Sequence, residues 1–138
     1  MLAGEQAIRA AAILECPVEV NIYYRTPARM EKLISSLKEI RERVANEEAP
    51  SAWEGSQWSD SVNSIEILGA NADGRIEGLE GPRAICSSRG IEAADAVLVP
   101  LEDGDRCEAL IALGKQVLVI DLNPLSRTAR MAHVTIVD

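Results

Sequence analysis

Three apolar runs in the last third of the chain decide the fold: Ala94-Asp-Ala-Val-Leu-Val-Pro100, Gln116-Val-Leu-Val-Ile-Asp121 and His133-Val-Thr-Ile-Val137. Each is a nearly continuous row of Val, Ile and Leu, which is typical of strands that are buried on both faces of a parallel sheet. Helical patterns separate the runs, over residues 106–113 and 127–131. This alternation of strands and helices predicts an α/β fold, with a mainly parallel sheet between helical layers.

The first half of the chain continues the same alternation. Residues 4–15 are rich in Ala at helical spacing, and Cys16-Pro17 ends that helix. Val18–Tyr24 alternates and is rich in β-forming residues, so it predicts a strand. Thr26-Pro27 supplies an N-cap followed by proline at the first helical position, which predicts the start of an amphipathic helix. Ser64–Leu68 predicts another short strand.

Length and composition indicate one globular unit. The chain has 138 residues, of which 47% are apolar and 26% are charged, so we expect a single domain over residues 1–138. Residues 47–63 are polar and carry both Trp residues, which predicts a surface insertion. Residues 69–90 are rich in Gly, which predicts a long irregular loop.

Charge and hydropathy exclude several classes of partner. The 14 basic and 22 acidic residues give a net charge of −8, which argues against nucleic acid as a partner. No apolar run reaches the ~20 residues of a membrane span. The three cysteines form no CxxC pair, so we expect reduced thiols and a cytoplasmic protein. No metal site is predicted from Cys and His.

The turn after the first of the three deciding strands, Glu102–Arg106, is a candidate binding site, because ligands of open α/β sheets bind at the carboxyl ends of strands. Gly104 permits a close approach of the backbone to a ligand. Asp103 and Asp105 would repel a bare phosphate, so they suit ribose hydroxyls, an amine or bound Mg²⁺. Arg106 suits phosphate or carboxylate. Acidic capping of the following helix explains these residues equally well.

The turn after the next strand, Asp121–Arg127, is a second candidate. Asp121 ends an apolar strand, where it suits a ribose or an amine. Ser126 and the N–H groups after it suit a phosphate, with Arg127 and Arg130 close by. An Asx/Pro turn with a Ser cap is the alternative explanation. Arg25, at the carboxyl end of the first predicted strand, is oriented for an anion or for a surface ion pair.

Five segments resemble one known family, the archaeal 4-phosphopantoate–β-alanine ligases, also called phosphopantothenate synthetases. Two long motifs, at the two candidate turns, carry most of the resemblance. The segments are Val99-Pro-Leu-Glu-Asp-Gly-Asp-Arg106 with Glu108-Ala-Leu110, Ile120-Asp-Leu-Asn-Pro-Leu-Ser-Arg-Thr-Ala-Arg130, Thr135–Asp138, Val20–Thr26 and Ile65–Gly69. Together they span nearly the whole chain.

The resemblance implies an ATP-dependent ligase of coenzyme A synthesis with a Rossmann-like, nucleotide-binding core, acting as a homodimer. It joins 4-phosphopantoate to β-alanine through an acyl adenylate and releases AMP and diphosphate, with Mg²⁺ beside ATP. No residue is identified as a catalytic acid or base. Arg25 is assigned to 4-phosphopantoate. The residues assigned to the nucleotide are Asp103, Gly104, Asp105, Arg106, Glu108, Asp121, Leu122, Asn123, Ser126 and Arg127.

Members of that family are longer than this chain, with an N-terminal helical region whose arginines are implicated in ATP binding, and with C-terminal helices. The chain therefore resembles a core fragment or a shortened relative. Two functions follow from this. One is the ligase itself, although 138 residues alone need not catalyse the reaction. The alternative is a non-catalytic nucleotide-binding or scaffold module of the same fold.

Overall fold

The structure is a computed structural model that describes residues 2–100 and 104–137. The helices of this part are α1 (Leu2–Leu14), α2 (Pro27–Ala45), α3 (Gly55–Ser64), α4 (Gly104–Ala112) and α5 (Arg127–Met131). The strands are β1 (Val18–Glu19), β2 (Ile67–Leu68), β3 (Gly74–Arg75), β4 (Ile85–Cys86), β5 (Ala96–Pro100), β6 (Gln116–Asp121) and β7 (Val134–Val137). These helices and mostly parallel strands confirm the α/β class, and the Rossmann-like, three-layer arrangement stays a prediction.

The chain divides into two compact units. Unit 1 comprises Met1–Val20 and Tyr24–Asn71, and unit 2 comprises Asn21–Tyr23 and Ala72–Asp138. The single domain that the sequence predicts stays a prediction. None of the helices in the described ranges is long and apolar enough to cross a membrane.

Unit 1 is a group of three helices beside a short parallel strand pair. The Thr26 hydroxyl accepts a hydrogen bond from the Arg29 N–H at 3.3 Å, which confirms the predicted N-cap of α2. Strand β1 pairs with β2 through Val18↔Ile67 and Glu19↔Leu68. The buried core of the unit is formed by Ile8, Ala11, Ala12, Ile40, Val44, Ala45, Trp58, Val62 and Ile65.

Helix α3 covers most of residues 47–63, the segment whose polarity predicts a surface insertion, and the insertion itself stays a prediction. Trp58 and Val62 lie four residues apart on one face of this helix, and both are fully buried. The Trp58 indole N–H donates to the Val44 carbonyl at 3.2 Å, and its ring meets Trp53 edge to face at 5.7 Å. Two apolar side chains one turn apart thus anchor one face of the helix, while most of its polar residues stay exposed.

Unit 2 contains the three deciding strands as a parallel sheet in the order β5-β6-β7. Val117 and Val119 belong to the same buried cluster as Cys107 and Leu110 of α4. On the other face of the sheet, where Leu98 aligns with Leu118 and Val134, side chains of β5 and β7 are 41–47% exposed. A separate antiparallel pair, β3–β4, lies within the Gly-rich 69–90 segment.

The predicted strand Val18–Tyr24 is wrong beyond Glu19, where β1 ends. The cause is Asn21, whose side-chain amide donates to the carbonyls of Arg83 and Ile85 at 3.0 Å each. These bonds hold Asn21–Tyr23 within unit 2.

Other boundaries shift less. Helix α4 begins at Gly104 rather than at residue 106, and β6 and α5 begin and end as predicted.

Candidate functional site

The two candidate turns leave the same edge of the unit 2 sheet. Strands β5 and β6 are parallel neighbours, and Pro100 at the end of β5 aligns with Ile120 near the end of β6. Helix α4 begins at Gly104, and the second turn begins at Asp121. The carboxyl ends of both strands therefore feed one edge, which is where α/β sheets bind ligands.

The turn after β6 is closed by hydrogen bonds among its own residues. The Asp121 carboxylate accepts from the Ser126 hydroxyl and, at 2.9 Å, from the Asn123 N–H. The Asn123 side-chain oxygen accepts from the Leu125 N–H at 3.0 Å. The Ser126 hydroxyl also accepts from the Ala129 N–H at 2.9 Å, which confirms the predicted cap of α5.

These bonds fix the charge state and orientation of Asp121. The hydrogen bond from the Ser126 hydroxyl, followed by that from the Asn123 N–H, holds the pKa of the Asp121 carboxyl below its usual range. A carboxylate offers about four acceptor positions, and the turn uses two of them. Asp121 is therefore a pre-oriented anion with capacity left for the hydroxyls of a ribose.

Arg127 joins the second turn to the start of α4. Its guanidinium forms an ion pair with Asp105, with Nη1 and Oδ1 2.8 Å apart, and a second one with Glu108. These hydrogen bonds, with Asp105 first and Glu108 second, raise the pKa of Arg127 above its usual value. Gly104 leaves room for this position of the Arg127 side chain, since an added Cβ would lie 2.8 Å from Arg127 Cδ. Gly104, Asp105, Glu108 and Arg127 thus form one group.

Arg106 donates hydrogen bonds to Asn21, which is not a member of that group. It donates from Nη1 to the Asn21 side-chain oxygen at 2.6 Å and to the Asn21 backbone carbonyl at 3.2 Å. Because Asn21 also bonds to the 83–85 segment, Arg106 fastens α4 to residues 21–23. Sequence analysis missed this role of Asn21. The available signal was an amide side chain within a run of β-forming residues.

Two assigned residues contribute less to this geometry. Asp103 lies outside the described residues. Leu122 is 75% exposed at the tip of the second turn, so it offers apolar surface to a ligand and no polar side chain. In residues 2–100 and 104–137, no group of three His, Cys, Asp or Glu side chains is placed to hold a metal ion.

Arg25 lies in unit 1, at the end of the β1–β2 pair. Its guanidinium donates to the Gly69 carbonyl and contacts the Met30 sulfur at 3.6 Å. It lines a surface groove of about 610 Å³. The surface ion pair considered from the sequence is not found for Arg25 among the described residues.

Comparison with known proteins identifies the family. The model of a family described as phosphopantothenate/pantothenate synthetase matches residues 1–138. The chain belongs to this family. Phosphopantothenate/pantothenate synthetases are also what the two long motifs at the sheet edge predicted, so that resemblance is confirmed.

Curated members of the phosphopantothenate/pantothenate synthetase family are similar over nearly the whole chain. A 4-phosphopantoate–β-alanine ligase of Thermococcus kodakarensis is 42% identical over 137 residues, which are 99% of this chain and 44% of that protein. Ligases of the same name from Methanosarcina mazei and Methanospirillum hungatei are 41% and 36% identical, over 45% and 46% of their lengths. The chain thus spans less than half the length of these relatives.

Proposed function

We propose that this chain is the nucleotide-handling core of an ATP-dependent ligase that joins 4-phosphopantoate to β-alanine in coenzyme A biosynthesis. The observation that carries the proposal is the similarity, over 99% of the chain, to proteins named for that reaction. The shared edge of β5 and β6 supports it, because a pre-oriented carboxylate, a guanidinium and a close-approach glycine lie there.

The reaction has two steps. The carboxylate of 4-phosphopantoate attacks the α-phosphorus of ATP, and an acyl–O–P bond forms. The bond from the α-phosphorus to the oxygen that bridges to the β-phosphorus breaks, and diphosphate leaves. The amine of β-alanine then attacks the acyl carbon, an amide forms, and AMP leaves as the amine loses its proton. Such a reaction needs anionic groups held in contact and water kept from the adenylate.

The residues at the edge have complementary roles in this proposal. Asp121 and Asn123 hold the adenosine, with the free acceptor positions of Asp121 toward ribose hydroxyls. Arg127 holds a phosphate, because its fork of five N–H donors suits phosphate oxygens and can exchange Asp105 and Glu108 for them. Gly104 has no side chain, so it leaves room beside the start of α4 for Arg127 and for the phosphate that Arg127 holds. Arg106 and Ser126 hold the two turns in place.

Mg²⁺ is proposed to arrive with ATP. The described residues do not fit a site made by protein ligands alone, since no group of three suitable side chains is present there. Mg²⁺ in nucleotide sites often takes only one or two carboxylates beside phosphate oxygens and water.

The cytoplasmic location of the protein stays a prediction.

Calorimetry tests the proposal directly. The full chain is titrated with ATP in the presence of Mg²⁺, and AMP release is then followed with 4-phosphopantoate and β-alanine. Binding together with AMP release that needs both substrates supports the ligase. Binding without AMP release supports the alternative, a nucleotide-binding module that does not catalyse, and no binding contradicts both.

A conservative pair of variants isolates Arg127. Arg127→Lys keeps the charge and loses the fork, so we expect ATP affinity to fall about ten- to a hundredfold. Arg43→Lys is the matched control, because Arg43 is also an exposed arginine with two carboxylate partners, Glu5 and Glu47, and lies in unit 1. A change below about threefold for Arg127→Lys, or an equal loss in both variants, would assign Arg127 to the solvated surface.

We further propose that the chain forms a homodimer. Exposed apolar side chains on one face of the unit 2 sheet support this, since Leu98 is 41% exposed and Val134 and Ile136 are each 47% exposed. Contiguous apolar surface of this kind often marks an interface. Light scattering should give twice the monomer mass at micromolar concentration, and a clean monomer at high concentration would contradict the proposal.

A further inference from the structure

We propose that the groove beside Arg25 in unit 1 binds 4-phosphopantoate, with Arg25 and Lys38 holding the two anionic ends of this molecule. The proposal rests on the proposed function for the identity of the ligand. We call this surface the α2 groove. It has a volume of about 610 Å³ and is lined by Arg25, Thr26, Pro27, Met30, Glu31, Ile34, Ser35, Lys38 and Ala70.

The α2 groove lies where a parallel strand pair presents a ligand. Thr26 and Pro27 follow β1 in the chain, and Ala70 follows β2. Strands β1 and β2 are parallel, so both connections leave from their carboxyl ends. This is the position at which α/β proteins bind small molecules, and the volume is within the ~300–1,000 Å³ of common ligand pockets.

One end of the groove carries a guanidinium that is already oriented. Arg25 is half-buried, and it donates to the carbonyl of Gly69, the residue after β2. The Gly69 backbone has a φ of +121°, and a Cβ at this position would lie 2.6 Å from the Val20 carbonyl oxygen. A backbone conformation that only glycine adopts easily therefore positions the acceptor that holds Arg25. An arginine has five N–H donors, so most remain for an anion.

The floor of the groove is apolar. Met30 and Ile34 are four residues apart on α2 and are only 4% and 7% exposed. They lie between the Arg25 and Lys38 ends of the lining. 4-Phosphopantoate has a phosphate at one end, a carboxylate at the other and a branched, dimethylated carbon between them. Its apolar middle therefore matches the apolar floor, and its charged ends match the ends of the groove.

Lys38 supplies the second cation. It is exposed, and it has no ion-pair or hydrogen-bond partner among the residues that the structure describes. Roughly 16 Å of helix axis separates Lys38 from Pro27, at ~1.5 Å per residue. Long side chains of a helix lean toward its N-terminus, which directs the Lys38 ammonium back along the groove toward Arg25. An unpaired ammonium is thus available for the far end of a dianionic ligand.

Glu31 places a negative charge at the same groove. Its carboxylate also lines the groove, and it is exposed without a partner among the described residues. A like charge beside a bound anion weakens binding. Removal of the Glu31 charge should therefore strengthen binding of the ligand, while removal of the Lys38 charge should weaken it. Opposite effects from two neighbouring exposed residues are not expected from a loss of folding.

The experiment is calorimetric titration of the full chain with 4-phosphopantoate in four variants of α2. Lys38→Gln should weaken binding about three- to tenfold, and Glu31→Gln should strengthen it about two- to threefold. Lys32→Gln and Glu39→Gln are the matched controls, since they make the same charge changes on exposed residues of α2 outside the groove. Both controls should change affinity less than about twofold.

Several results would overturn the assignment of the groove. The first is no measurable binding of 4-phosphopantoate by the unmodified chain. The second is an equal effect of Lys38→Gln and Lys32→Gln on affinity. The third, from an NMR titration with 4-phosphopantoate, is a set of backbone amide chemical-shift changes that does not include Ser35 and Ala70. Pantoate and inorganic phosphate serve as partial ligands, and each should bind more weakly than 4-phosphopantoate because it lacks one end or the apolar middle.

Failure of the groove and failure of the ligase are distinguishable. AMP release with a KM for 4-phosphopantoate that Lys38→Gln leaves unchanged would refute the groove and keep the ligase. Binding with the expected pattern of variants, but without AMP release in the presence of ATP and β-alanine, would keep the groove and refute the ligase for this chain.

Discussion

Gly69 links backbone geometry to the orientation of Arg25. Its φ of +121° lies where L side chains are strained, and the nearest atom to an added Cβ would be the Val20 carbonyl oxygen, 2.6 Å away. Gly69→Ala should therefore lower the free energy of unfolding by about 1–3 kcal/mol. Urea denaturation measures this. Gly55→Ala is the control, because no atom lies within 4 Å of an added Cβ there. Equal losses in the two variants would contradict the assignment of strain to Gly69.

Asp121 should make stability depend on pH in the acid range. Because the Ser126 hydroxyl holds the pKa of Asp121 below its usual range, the folded state favours the ionised carboxyl. That contribution is complete above the usual pKa of an aspartate and is lost as the pH falls through the lowered value. Asp121→Asn should therefore flatten the loss of melting temperature on acidification. Asp60→Asn, on the exposed side of α3, makes the same charge change and is the matched control, and an equal flattening in both variants would contradict the role of the Ser126 bond.

At the scale of single residues, the sequence predicts contacts within a turn better than contacts across the fold. The cap by Ser126 and the turn at Asn123 involve residues two to three positions apart, so turn chemistry alone predicts them. The bond between Arg106 and Asn21 joins residues 85 positions apart. No local pattern indicates such a partner, and Arg106 was accordingly assigned to a ligand.

Among the elements, α3 carries the strongest prediction for stability. Trp58 is fully buried between α1 and α2, and its indole N–H bonds to Val44. Trp58→Ala should cost about 3–5 kcal/mol of unfolding free energy, as for other large core side chains. Trp53→Ala should cost clearly less, because Trp53 is only half-buried at the margin of the same core. Similar losses for both would mean that α3 is fastened by the Trp pair rather than by core burial.

The elements that the sequence predicts correctly are those with unbroken patterns. The Val- and Ile-rich runs of β5, β6 and β7 and the capped start of α2 each carry a signal longer than one turn. Helix α3 was missed because Ser, Asn, Asp and Gln dominate its sequence. Strand β1 was predicted too long, since its β-forming residues continue after the backbone has turned away to bond with residues 83–85.

At the scale of the whole molecule, connectivity couples two separate apolar cores. One core lies wholly in unit 1 and the other wholly in unit 2. The chain nevertheless passes between the units three times, at Val20–Asn21, Tyr23–Tyr24 and Asn71–Ala72. Residues 21–23 are held in unit 2 by the Asn21 amide while both flanking segments belong to unit 1. Unfolding of unit 2 would therefore release the segment that connects β1 to α2.

We accordingly expect one cooperative unfolding transition. Both Trp residues belong to unit 1, so Trp emission follows that unit alone. Leu110→Ala removes a fully buried side chain from the core of unit 2, at an expected cost of about 2–5 kcal/mol. If the units unfold together, this variant lowers the midpoint of the Trp transition by the same amount as the midpoint of far-UV circular dichroism. Leu113→Ala, 41% exposed just after α4, should move both midpoints little. A Trp midpoint that Leu110→Ala leaves in place would show that each core unfolds independently, and the single domain predicted from the sequence would then be wrong.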